Sequence, residues 1–127
     1  MINLTLPLPT CTIKGKSKLL TLNLYRNIHY QVSNKAKSNY KDIAWLELRP
    51  HRRKNFKKIK IIYTFYFENN HRRDIGNIGA VTDKFFSDSL VDAGIIKDDS
   101  HQYISEVSFR FGGIGSQRVE IEIKEVK

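Results

Sequence analysis

The stretch "HRRKNFKKIKIIYTFYFENN", residues 51–70, decides the fold. In its second half Ile59, Ile61, Tyr63, Phe65 and Phe67 share one parity, while β-branched and aromatic residues fill much of the other. Such a run is expected to be a long central strand. The first half carries Arg52, Arg53, Lys54, Lys57, Lys58 and Lys60. Positive charge at that density repels itself unless a polyanion or surrounding carboxylates relieve it, so the run is read as a phosphate-contacting segment.

Downstream of the strand, Ile78, Val81, Phe85, Phe86, Leu90 and Ala93 recur at helical spacing over residues 77–93, and Gly94 supplies a natural stop. Upstream, Ala36, Tyr40, Ile43, Ala44 and Leu48 predict another helix, with Pro50 just beyond it. At the N-terminus, Leu4, Leu6 and Leu8 alternate as in a short strand. Residues 14–40 mix basic, amide and tyrosine side chains with no stable apolar period until about Ser33, and are expected as a long functional loop. In the last third, Val107, Phe109 and Phe111 and then Val119, Ile121 and Ile123 predict two strands joined by a glycine-rich connection, a hairpin. The order β, loop, α, β, α, β, β is that of an α+β protein: a small mixed or antiparallel sheet with two helices packed on it, in one domain over residues 1–127.

With 127 residues, 22 Lys and Arg against 13 Asp and Glu, and a net charge of +9, the chain is suited to a polyanionic partner, nucleic acid first. No apolar run is long enough to span a bilayer, and no amphipathic helix carries one cationic face, so no membrane partner is expected. The single cysteine, Cys11, excludes an internal disulfide and a zinc site of paired thiolates within one chain, which fits a reducing compartment. The opening "MINLTLPLPT" has neither the basic start nor the continuous apolar stretch of a secretory signal; the expected location is cytoplasmic.

Several local patterns carry less. "GKS" at Gly15–Ser17 is not a phosphate loop, because Thr10 stands where that motif needs its first glycine. "GGIG" at 112–115 reads as a turn. The four histidines form no local metal-binding pair, although His101 follows Asp98 and Asp99 closely enough to stay of interest. Asp74 and the pair Asp98–Asp99 flank the 77–93 helix. They are candidate oxygen ligands for a hard cation, with solvated surface carboxylates as the plainer alternative.

In order and type, these residues resemble the RusA family of Holliday junction resolvases, common in phages and prophages. That family has a basic run, then Asp-x-Asp-Asn, then a helix with a Lys followed four residues later by Asp and two further on by Leu, then Ala-Gly and a pair of acidic residues. Here "RRDIGNI" supplies Asp74 and Asn77, "KFFSDSL" supplies Lys84, Asp88 and Leu90, and "DAGIIKDD" supplies Ala93, Gly94 and Asp99. "LPLP" followed by "LNLYRN" is similar to the family's Pro-rich opening and Asn-x-x-Tyr segment, which places Asn23 or Tyr25 near the site.

The resemblance implies a homodimeric, Mg²⁺-dependent endodeoxyribonuclease that binds and resolves four-way DNA junctions in recombination and repair. It implies Asp74 and Asp99 as metal-binding and catalytic carboxylates, Lys84 as a cation near the reacting phosphate, and Arg72, Arg73, Asn23, Tyr25 and Asn77 beside the basic run on the DNA. Gly76 stands where the family has its second aspartate. In an extended segment residues i and i+2 share a face, so the glycine removes a ligand, and Asp98 is the nearest replacement in sequence. Two other readings remain: a noncatalytic junction-binding protein disabled at Gly76, and a single-strand or RNA binder stacking bases on Tyr25, Tyr30 and Tyr40.

Overall fold

β4 (Ile59–Phe67) is the organising strand of the computed structural model, which describes residues 1–126. Ile59, Ile61, Tyr63, Phe65 and Phe67 are all buried. β1 (Ile2–Leu6), β5 (Ile104–Ile114) and β6 (Arg118–Glu125) complete a four-stranded mixed sheet in the order β1-β6-β4-β5. The fold is α+β, with α1 (Leu22–Asn27), α2 (Tyr30–Leu48) and α3 (Ile75–Asp92) beside a second, two-stranded sheet of β2 (Thr10–Ile13) and β3 (Lys16–Leu19).

The expected terminal hairpin does not form. β6 pairs antiparallel with β4, and β5 pairs parallel with the opposite edge of β4, so the central strand separates them. Parallel pairing requires a crossover, and α3 supplies it between β4 and β5. Only a strand with hydrogen-bonding neighbours on both edges is buried as β4 is, which is why its apolar run outranks the local glycine signal for a hairpin.

The 14–40 segment is also more ordered than its composition suggests. Lys14 and Gly15, at φ 51° and 77°, make the two-residue turn of the β2–β3 hairpin, the left-handed pair that matches strand twist. "GKS" is therefore a hairpin turn. α1 begins at Thr21, whose hydroxyl accepts the Leu24 N–H, and α2 begins at Tyr30, earlier than the apolar spacing predicts, because the His29 side chain caps it. Of "GGIG", Gly112 to Ile114 end β5 and only Gly115 opens the bend that leads to β6. The register slips between Phe65 and Tyr66, so Gly112 is the extra residue of a bulge, and a Cβ there would lie 2.5 Å from the Tyr66 ring.

The core lies between one face of the four-stranded sheet and α2 and α3: Phe86 of α3 meets Tyr63 of β4 edge-on, while Phe85 packs against Tyr25 of α1 and Tyr40 of α2, with Val81 and Leu90 buried in the same cluster. Lys37 pairs with Asp88 at 2.7 Å and Lys41 with Asp92, joining α2 to α3. Asp88 of the resemblance's helix motif is thus held by a neighbouring helix. Tyr40 is buried and donates to the Pro7 carbonyl, so its ring is not free to stack on a base; Tyr25 is half-buried and packs edge-on against Phe85. Among the described residues no helix is long and apolar enough to cross a membrane.

Candidate functional site

Asp74 is the N-cap of α3: its Oδ1 accepts the Asn77 N–H at 3.1 Å, satisfying one of the unpaired donors of the first turn. The Asn77 side chain in turn accepts the backbone N–H of Asn23 at 3.3 Å, from the first turn of α1. Asn23, Asp74 and Asn77, separated by up to 54 positions in sequence, therefore sit together at one end of α3. Tyr25 does not join them, since its ring lies against Phe85 much further along the helix.

Gly76 occupies the second position of α3, with no left-handed backbone. A Cβ added there would meet only Asp74 Oδ1, at 3.4 Å, an ordinary contact. The glycine is not required by conformation, and an aspartate at this position would lie beside Asp74.

Arg72 is exposed in the turn before the helix. Arg73 is committed elsewhere: its guanidinium donates to the Asn69 and His71 carbonyls and to Asn69 Oδ1, and lies 4.5 Å from the centroid of the Phe67 ring. It shapes the 69–73 turn.

The other predicted residues gather at the opposite end. The segment 53–56 runs beside the C-terminus of α3, with N–H groups of Arg53, Asn55 and Phe56 donating to the carbonyls of Ala93, Gly94 and Ile95. Arg52, Arg53, Lys54, Lys57 and Lys58 are exposed there and, among the described residues, form no salt bridge. Arg52 lies over the Trp45 ring. Lys60 instead meets Glu106 at 3.6 Å. Asp98 and Asp99 are exposed in the connection that leaves this end of α3 for β5. His101 is exposed in the same connection.

The distance between the two ends follows from helix geometry. The 18 residues of α3 rise about 27 Å at ~1.5 Å each. Asp74 stands before the first residue and Asp99 beyond the last. Among the described residues, no group of three or more His, Cys, Asp and Glu side chains is placed to hold a metal ion. Lys84, exposed midway along α3 and with no salt bridge among the described residues, belongs to neither end.

One acidic residue escaped the sequence reading. Asp83 accepts hydrogen bonds from the Tyr63 hydroxyl at 2.7 Å and the Ser87 hydroxyl at 3.0 Å. Burial pushes its carboxyl up from the ordinary aspartate range; the two hydrogen bonds oppose this, while the negative charges of Asp99 and Asp88 add to it. The available signal was its place in the series Gly79, Asp83, Phe86, Leu90, a carboxylate on the apolar stripe of an amphipathic helix.

No family model matches the chain, and no curated protein matches it.

Proposed function

We propose that this chain is a RusA-like structure-specific endodeoxyribonuclease that binds four-way junction DNA as a homodimer, in a reducing, cytoplasmic setting. The observation that carries the reading is the meeting of Asn23, Asp74 and Asn77 at the head of α3. The N-terminal and central segments that separately resemble the family are distant in sequence, and contact between their polar residues is what a shared site requires. The five cations at 52–58, which form no salt bridge among the described residues, provide the sequence-independent phosphate affinity that a junction binder needs.

A second reading, a junction-binding protein that does not cut, is favoured by Gly76, which takes one carboxylate from the head of α3. One experiment separates the two. Nicking of a labelled four-way junction with Mg²⁺ is compared between the natural chain and Gly76→Asp. Cleavage by the natural chain supports the nuclease. Tight junction binding with cleavage only in the variant supports the noncatalytic reading, and equal affinity for junction and linear duplex in both overturns the junction specificity itself.

A further inference from the structure

β2 has a strand partner on one side only, and a groove lies between it and α2. The hairpin register fixes which of its backbone groups are left over. The Leu20 N–H donates to the Pro9 carbonyl at 2.9 Å, so these two residues form a hydrogen-bonded pair. By alternation Cys11 with Lys18 and Ile13 with Lys16 are hydrogen-bonded pairs as well, the last of them closing the two-residue turn at Lys14 and Gly15. Thr10 and Thr12, opposite Leu19 and Ser17, are the non-bonded pairs. Their N–H and C=O groups therefore point out of the free edge, and among the described residues they meet no other backbone group.

Free edges are commonly blunted by lysine. β3 is, by the exposed Lys16 and Lys18, whereas β2 reads Thr-Cys-Thr-Ile and carries no charge. The groove beside β2 has a volume of about 540 Å³, and its far wall is α2. Val32, Ala36, Tyr40 and Ile43 recur there at spacings of three and four, one stripe of the helix. Ala36 and Tyr40 are buried and form its floor, while Ile43 is 41% exposed, an apolar side chain without cover. From Gln31 to Ile43 the helix rises about 18 Å at ~1.5 Å per residue, the length of about five extended residues at ~3.4 Å each. Lys35, exposed in the same wall, forms no salt bridge among the described residues, and no carboxylate lines the groove.

We propose that this groove receives an extended acidic segment of another protein, added to β2 as a third strand against α2. Two observations choose that occupant. The outward N–H and C=O groups of Thr10 and Thr12 repeat at every second residue, which is the repeat of an extended peptide backbone and not of a sugar-phosphate chain. Charge then selects the side chains. Alternate residues of the added strand point at the Val32, Ala36 and Ile43 stripe and are small and apolar; those between them face solvent beside Lys35 and are acidic. This surface goes beyond the nuclease reading and does not rest on it.

The peptide acetyl-Glu-Val-Glu-Val-Glu-amide, titrated into isotope-labelled natural chain and followed by amide NMR, tests the proposal. It should bind with a dissociation constant below about 1 mM, shift the Thr10 and Thr12 signals and slow their hydrogen exchange. The same peptide N-methylated at alternate backbone positions should bind about tenfold more weakly or worse, having lost its edge hydrogen bonds. Thr12→Pro removes an outward N–H and leaves the β3 ladder whole, so it should also cost about tenfold, whereas Thr12→Val should bind like the natural chain. Lys35→Glu, a change on the exposed surface, should weaken the acidic peptide by about tenfold and favour acetyl-Lys-Val-Lys-Val-Lys-amide instead. Should Thr12→Pro fail to fold, the methylated peptide and Lys35→Glu decide the matter. The proposal is overturned if the acidic peptide moves only signals of residues 52–58, if oligothymidylate and not the peptide moves those of Thr10 and Thr12, or if methylation and Lys35→Glu leave peptide affinity unchanged.

Discussion

Tyr63 donates its hydroxyl hydrogen to Asp83 across 2.7 Å, fastening the middle of β4 to the middle of α3. The phenol is buried and the carboxyl half-buried, and Ser87 gives Asp83 its second hydrogen bond. The pair fixes how α3 lies on the sheet, and so where the helix head bearing Asp74 stands.

Because burial raises the folded-state pKa of Asp83, its stability contribution is fully present below the ordinary aspartate value near 3.8 and is lost as pH rises through the raised value. Asp83→Asn keeps an oxygen for Tyr63 and removes the buried charge. Chemical denaturation across pH 3 to 7 should show a flatter stability profile in this variant, with equal or greater stability at neutral pH. Asp83→Leu should instead cost about 1–3 kcal/mol by leaving the Tyr63 hydroxyl without an acceptor. A parallel pH profile in Asp83→Asn would refute the assignment.

Gly79 permits the close approach of α3 to β5. A Cβ on it would lie 2.7 Å from the Phe109 ring. Gly79→Ala gains up to about 1 kcal/mol of helix propensity but overpacks this contact at a cost of about 1–3 kcal/mol, so net destabilisation is expected. Adding Phe109→Leu should recover part of the loss, and urea unfolding of the two variants measures it.

Gly76→Asp should fold normally. The position is helical, the new Cβ has room, and a negative charge in the first turn is favourable, offset by repulsion from Asp74. Its melting temperature should match the natural chain within a few degrees, while Mg²⁺-dependent junction cleavage rises and Asp74→Asn removes the gain. A folded variant with unchanged metal affinity and cleavage would show that the head of α3 does not hold the ion.

Arg72 and Arg73 should separate in function although they are neighbours. Arg73→Ala loses three hydrogen bonds and its contact with Phe67, so the thermal midpoint should fall. Arg72→Ala should leave stability intact and weaken DNA binding. Each cation removed from Arg52, Arg53, Lys54, Lys57, Lys58 or Arg72 that contacts duplex phosphate should reduce the slope of log K against log salt by about 0.9. Salt titration of a multiply substituted variant checks this, and an unchanged slope would remove these residues from the DNA surface.

The α+β class was legible because β4 and α3 declare themselves by period: five alternating apolar residues, then an apolar stripe at helical spacing. The cations at 52–58 were legible too, since charge density is a property of composition, and so was the anomaly of Gly76. Strand order was not. The two apolar segments joined by glycines satisfy every local rule for a hairpin, yet β4 separates them, because only pairing on both edges buries it. The candidate site was legible in its parts, with Asp74, Asn77 and Asn23 meeting through hydrogen bonds that no spacing encodes. Its supposed unity was not. Sequence proximity made Asp74 and Asp99 look like two sides of one loop cluster, whereas Asp74 is fixed as the N-cap of α3 and Asp99 lies in the connection beyond that helix, where its charge acts on Asp83. Asp83 was hidden for the converse reason: a carboxylate amid apolar residues shows its role only when the sheet brings Tyr63 to it.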